Sequence, residues 1–329
     1  MNTSLKLLAG AAGIGLLAFG AGTAQADPSG TPAGNTRPLI GVGSDTTQGV
    51  MNALSNAVTV NGVKVISSWD ATGSATIATT TGAGCQSVAR PNGSGAGRTT
   101  LLTELNTTNC VNFSRSSSLN LAQAAPGLTY VPFAIDAVTY AIAPNSSLPR
   151  SMTLADLHGI YTCDPNYVGN PPYDVHPLLP QAGSGTRSFW ETTVGITEAD
   201  VVANKYPCVK DTSAGKPIEE HDGRVLNPTS IVPFSIAQFI AQGSGTLADL
   251  RGTAVLGSIN GTPSLLLNTG SAATREVYNV IPTSKVATSP FSDVFVGATS
   301  GICKQSTLIK SYGFGIDPNC GSTASATTG

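Results

Sequence analysis

Leu39-Ile40-Gly41-Val42-Gly43-Ser44-Asp45-Thr46-Thr47-Gln48-Gly49-Val50-Met51 is the stretch that decides the fold. Its first five residues carry no charge and read as a short buried strand. Gly43 opens a tight turn, and Ser44, Asp45, Thr46 and Thr47 are residue types whose side chains cap helix starts. Val50, Met51, Leu54, Ala57 and Val58 then recur three or four apart, the apolar stripe of a helix. A strand that passes through a polar turn straight into a helix is the repeating unit of an α/β fold, and it leaves unpaired amides at the turn.

Working outward, Val63-Lys64-Val65-Ile66 reads as a second strand ending in the loop from Trp69 to Thr76. Leu128 to Ala143 is a long apolar run containing Pro132, which reads as strand and crossover rather than helix. Thr153-Leu154-Ala155-Asp156 has the form of a capping box, and Thr246-Leu247-Ala248-Asp249-Leu250 repeats it, predicting two capped helices. Val175 to Leu179 reads as a strand leading into Gly183-Ser184-Gly185-Thr186, with a helix from Arg187 to Val194 behind it. Ile231 to Gln242, with Ile236, Phe239 and Ile240 on one face, predicts a further amphipathic helix. The alternation predicts an α/β protein of two lobes whose ligands bind outside the carboxyl ends of the strands.

Composition narrows the class. Gly 37 and Pro 21 among 329 residues fall below low-complexity levels, and 40% apolar residues suffice for a sizeable core. Only 11% of residues are charged, so Ser, Thr, Asn and Gln must cover the surface, as suits a secreted protein. A net charge of −2 with no Lys/Arg run argues against a nucleic-acid or anionic-membrane partner. Residues 1–26 read as a signal peptide, with Lys6 before the apolar Leu7–Gly20 and Ala24-Gln25-Ala26 at the cleavage site. No lipid-anchor cysteine follows, and no later apolar stretch is long enough to span a bilayer. Residues 27–36 read as a linker and 320–329 as a Ser/Thr/Gly tail. The cysteines fall in neighbouring pairs, Cys85 with Cys110, Cys163 with Cys208 and Cys303 with Cys320. In an exported chain an even count reads as disulfides, and sequential pairing is the hypothesis although other connectivities are open. No C-x-x-C or H-x-x-x-H spacing supports zinc, and no cofactor is expected.

Chemistry concentrates in Ser/Thr/Gly loops where strands end: Gly43 to Thr47, Gly73-Ser74-Ala75-Thr76, Ser114-Arg115-Ser116-Ser117, and Gly183 to Arg187. Where a helix begins directly after such a loop, its free amides carry partial positive charge, glycines let an anion approach the backbone, and hydroxyls add donors. This is an oxyanion cradle made of neutral groups, to which Arg115 and Arg187 would add charge-assisted bonds. Any one of these loops is also what ordinary caps and turns supply.

Taken together they resemble a family. Gly183-Ser184-Gly185-Thr186 with Phe189 behind it is similar to the signature loop of the phosphate-binding receptors of ABC importers, in the type 2 periplasmic-binding-protein superfamily. Gly41-Val42-Gly43, Asn112 to Ser117, Val131 to Val138, and Thr153 to Leu157 before Ile160-Tyr161 follow in the same order. The resemblance covers the chain from about Leu39 to Val286. It implies a noncatalytic, monomeric two-lobed protein holding phosphate between its lobes, with an ABC permease as a possible partner. The lobes it implies are residues 37–138 with 278–329, and residues 139–277. Family positions carry over to Ser44, Asp45, Thr46, Thr47, Ser74, Ser116, Ser184, Gly185 and Thr186. The sequence departs from the family at two places. An Asp expected just after Ser116 is Ser117, and an Arg expected three residues before Gly183 is Pro180. Arg115 and Arg187 are the candidates to restore the charge, and Asp45 to replace the proton acceptor. Without a carboxylate, sulfate, molybdate or an organic phosphate also fits, and loss of the site is the alternative.

Two other classes remain open. A secreted serine hydrolase would need G-x-S-x-G, which is absent around Ser94, Ser184 and Ser244, and a base from His158, His176 or His221. His176 and His221 read as surface residues rather than metal ligands, and Ser213-Ala214-Gly215-Lys216 as a chance S-x-x-K. A secreted adhesive module would explain the missing lipid anchor. Trp69 and Trp190, beside two of the loops, read as core residues with sugar stacking as the alternative.

Overall fold

The computed structural model describes residues 37–105, 107–119, 127–169, 174–265 and 273–324. The stretches read above as a signal peptide and a linker, and the last residues of the tail, lie outside the described residues. In chain order the principal elements are β1 (Leu39–Gly43), α1 (Gln48–Ala57), β2 (Ile66–Ser68), α2 (Ser94–Leu105), β3 (Phe113–Ser116) and β4 (Leu128–Ile142). They continue with α3 (Leu154–Tyr161), β5 (His176–Pro177), α4 (Gly185–Val194), β6 (Ser230–Ser235), α5 (Ile236–Gly243), β7 (Val255–Leu256) and β8 (Thr274–Pro282).

The principal strands run in the order β5-β6-β4-β8-β3-β1-β2, with β7 also on β4. The pairs β1/β2, β1/β3 and β5/β6 are parallel, and β8 is antiparallel to both β3 and β4. Strand β4 joins the two halves. Leu128 to Ala137 pair with β8, and Val138 to Ile142 pair with β6. Both faces of the sheet are buried, which is why β1, β4 and β6 are nearly continuous apolar runs. Leu39 packs with Met51, Leu54, Phe113 and Phe133 on one face, and Ile40 and Val42 with Trp69, Tyr130 and Val280 on the other. Across the β4 switch the pattern repeats. Val138, Tyr140 and Ile142 pack with Leu157, Ile160, Trp190 and Ile231, while Ala141 turns to Val232 and Phe234. Two α/β lobes sharing a long strand are the result. Both tryptophans are core residues, and Trp190 lies edge-on to Tyr161.

The capping box at Thr153 is complete, with Thr153 Oγ1 accepting from the Asp156 amide and the Asp156 carboxylate accepting from the Thr153 amide. Its repeat at Thr246 starts no helix. Asp249 instead accepts from the Arg251 amide and guanidinium, closing a local turn. The helix expected over 231–242 begins only at Ile236. Ile231 to Phe234 pair with β4, and Ser235, extended at φ −67 and ψ 129, caps α5 by accepting from the Gln238 amide. The cysteines pair sequentially: Cys85–Cys110, Cys163–Cys208 and Cys303–Cys320. No helix among the described residues is long and apolar enough to cross a membrane.

Candidate anion-binding site

The site forms where β1 and the loop before α4 meet. Gly43 ends β1 at φ +113, and a Cβ there would lie 2.7 Å from the Arg115 carbonyl oxygen, so the turn into α1 requires glycine. Thr46 is thereby placed at the lobe interface with no exposed surface, and Gln238 on α5 holds it by donating to the Thr46 carbonyl at 2.7 Å. From the other lobe, Ser184 caps α4 by accepting from the Arg187 amide, and Gly185 and Thr186 form the first turn. Thr46 Oγ1 lies 3.2 Å from Thr186 Oγ1 and 3.2 Å from Ser117 Oγ. Ser94, first residue of α2, accepts from the Ser117 amide at 3.0 Å.

Gly185 is the contact that lets the lobes close. A Cβ built there would lie 2.2 Å from Ser94 Oγ and 2.3 Å from Ser117 Oγ, both on buried residues. Gly185→Ala is therefore expected to hold the cleft open. A cost of about 1–3 kcal/mol against closure follows from overpacking. Small-angle scattering should show the variant more extended than the wild type, and identical profiles would contradict this reading.

The charge of the site comes from Arg275 on β8, directly opposite Asp136 on β4. Arg275 Nε and Nη2 donate to Asp136 Oδ2 at 3.1 and 2.8 Å, and Asp136 Oδ1 accepts from Ser235 Oγ and the Ala237 amide. Thus fixed, Nη2 also donates to Thr186 Oγ1 at 3.1 Å and lies 3.4 Å from Thr46 Oγ1. The guanidinium stands 5.4 Å from the centre of the Phe189 ring.

Two acids and a histidine complete the cluster. The fully buried Glu220 carboxylate accepts at Oε2 from Thr46 Oγ1 at 2.8 Å and from Thr186 Oγ1 at 3.2 Å. Burial alone would raise its pKa, but the charge of His221, the Ser184 hydroxyl, Arg275 and Thr46 outweigh burial and hold it below the ordinary carboxylate range. His221 is buried, with Nδ1 3.0 Å from Asp45 Oδ2 and Nε2 3.9 Å from Glu220 Oε2. Neighbouring Glu219 is pushed up by burial and then by the like charges of Asp45, Glu220 and Asp222, against a bond from Asn92. Asp45, Glu220 and His221 offer ligand atoms within 4.8 Å of one another, the donor set a divalent cation could use. His221 Nε2 has no hydrogen-bond partner among the described residues.

The structure thus brings together Thr46, Ser117, Ser184, Gly185 and Thr186, with Ser44 and Thr47 buried in the same turn and Asp45 at its edge. Six residues have surroundings other than those expected. Ser74 is exposed, bonded to Arg90 and to the Thr76 carbonyl, because its loop points to solvent. Ser116 turns to the Ser118 carbonyl. Arg115 is buried and donates to the carbonyls of Gly41, Gly43 and Ser44 and to Ser68, bracing the end of β1. Arg187 is held by Glu191, Glu198, Asp211 and the Pro180 carbonyl. The guanidinium that lies on the Thr46 and Thr186 hydroxyls is that of Arg275, a residue to which no motif in the sequence points. His221 is no surface residue, and Glu220, not Asp45, is the acid on the threonine hydroxyls. His176 does remain half-exposed.

No protein-family model matches the chain, and no curated protein matches it. Among solved structures, the chain is similar to an ABC-type phosphate transport receptor from Vibrio cholerae, with a TM-score of 0.53 and 15% identity over 85% of this chain and 100% of that one. It is also similar to a putative phosphate ABC transporter substrate-binding protein with bound phosphate from Clostridium perfringens, with a TM-score of 0.54 and 15% identity over 85% of this chain and 99% of that one. At that identity the likeness establishes the fold: the chain has the two-lobed α/β architecture of these substrate-binding proteins.

Proposed function

We propose that this protein is an exported, noncatalytic solute-binding protein that closes its lobes on a tetrahedral oxyanion, phosphate first among the candidates. The observation that carries the reading is the convergence of Thr46 and Thr186, one from each lobe, on a single acid oxygen with Arg275 directly behind them. That oxygen belongs to Glu220 and stands in for an oxygen of the anion. Arg275 donates to Thr186, whose own hydroxyl hydrogen then points at the acceptor, so the buried charge is felt through a hydrogen-bonded chain. Ser117, Ser184 and the first amides of α4 supply further neutral donors, which hold an anion without a second cation.

Lobes of residues 37–138 with 278–329 and of residues 139–277 are part of this proposal. So are export by residues 1–26, a monomeric state and delivery to an ABC permease.

Isothermal titration of the oxidised protein with phosphate, sulfate and molybdate tests the reading. One of these anions should bind, and Thr186→Val should weaken it. Losing one donor and leaving the anion oxygen unmatched costs about 1–3 kcal/mol, a factor of about 5 to 150. An unchanged affinity in Thr186→Val, or no binding even when the Glu220 carboxylate is removed, would overturn it.

A further inference from the structure

We propose that Glu220 is the cradle's resident ligand: its carboxylate occupies the anion position, and an external oxyanion binds by displacing it. This rests on the oxyanion reading and deepens it, because it makes Glu220 the residue that sets which anions enter.

Occupancy is the first observation. Glu220 Oε2 takes the hydroxyls of Thr46 and Thr186 together, one from each lobe, and these are the donors an external anion needs. An anion cannot share them, since each hydroxyl has one hydrogen to give. A second negative charge beside a buried carboxylate is also strongly repelled.

Glu220 is also an incomplete match to the site. Its other oxygen, Oε1, has no hydrogen-bond partner among the described residues, and neither do Ser44 Oγ, Thr47 Oγ1 or Arg275 Nη1, all buried. Buried polar atoms are normally paired, so each of these marks a bond still to be made. Arg275, already on Thr186 through Nη2, thus carries in Nη1 a donor that no group among the described residues uses, as expected of a site shaped for an anion with more oxygens.

There is also somewhere for the carboxylate to go. A cavity of about 330 Å³ lies beside the cradle, lined in part by Glu220, His221, Asp45, Gln48 and Thr72. The residue next to Glu220, His221, has φ +60, a left-handed conformation that side-chain-bearing residues adopt at a cost. The ends of the segment around Glu220 are anchored by the Gln181 amide on the Ile218 carbonyl and the Gly223 amide on the Leu250 carbonyl, and its neighbours by Asn92 on Glu219 and Gln242 on the His221 carbonyl, which leaves the movement to the Glu220 side chain.

The test compares the wild type with Glu220→Gln by titration with phosphate, sulfate and molybdate, after thermal melting has shown both proteins folded. Gln keeps the shape and removes the charge, so the expected result is at least about tenfold tighter binding of one anion in Glu220→Gln. Adding Thr186→Val to that variant should abolish the gain, showing that the anion entered the same cradle. Equal or weaker binding in Glu220→Gln would overturn the proposal and leave the oxyanion reading standing, with Glu220 then an acceptor for a proton on the ligand. Absence of binding in both proteins would overturn the oxyanion reading and this proposal with it.

Discussion

Arg275→Met is expected to destabilise the protein by about 3–5 kcal/mol, the usual cost of removing one partner of a buried ion pair. Asp136 has no exposed side-chain surface, and its Oδ2 accepts only from Arg275 among the contacts described above. Methionine matches much of the volume but leaves the Asp136 carboxylate charged, with Oδ2 stripped of the donors described and only Oδ1 still paired. Each kcal/mol moves the melting temperature of a chain this size by roughly 2–4 °C, so a fall of roughly 6–20 °C should appear in a thermal melt followed by circular dichroism. The same substitution strips the cradle of its cation, so anion binding should be lost in protein still folded at low temperature. Arg275→Lys should restore part of the stability but not the fork that reaches Asp136 and Thr186 together. A melt unchanged in Arg275→Met would mean that Asp136 is paired elsewhere and would remove the charge from the account.

Removing the Cys163–Cys208 bridge by alanine at both positions is the other large effect, about 4 kcal/mol in the chain-entropy description for residues 45 apart in sequence. The bridge closes a larger loop than Cys85–Cys110 or Cys303–Cys320, with separations of 25 and 17, so its loss should cost the most of the three. It links the turn after α3 to the chain that returns beside β5, and both cysteines pack on the core around Trp190. Thermal melts of the three double variants should rank in that order, while affinity in the folded protein stays near the wild-type value because no bridge touches Thr46, Thr186 or Arg275. A Cys163/Cys208 variant as stable as the wild type would show that the loop is already ordered in the unfolded chain.

The local units of the fold were legible because each rests on neighbouring residues. The strand, turn and helix from Leu39 to Ala57 and the capping box at Thr153 needed only periodicity and cap chemistry. Ile231 to Phe234 misled because a short apolar run on a buried strand has no period to separate it from a helix. The hydroxyl half of the cradle was legible for the same local reason: Ser184, Gly185 and Thr186 stand at a helix start. Its charged half was not. Arg275 and Asp136 are 139 residues apart and meet only through strand register, and Glu220 and Thr46 are 174 apart and meet only across the lobes. Arg115 and Arg187 stand at the right places in sequence, yet bare carbonyls at the end of β1 and three acids, Glu191 within α4 and Glu198 and Asp211 after it, claim them. A charged run such as Glu219 to Asp222 usually marks solvent, and nothing local reveals that its second residue folds inward.

Crystals of the wild type soaked in tungstate, a heavy tetrahedral analogue of phosphate, would test the central claim most directly, because the anomalous signal places the anion without reference to any assumed ligand. The account predicts a peak between Thr46 and Thr186, within hydrogen-bonding distance of Arg275, with the Glu220 carboxylate displaced toward the neighbouring cavity. Tungsten bound only elsewhere, with Glu220 still on the two threonine hydroxyls, would contradict it.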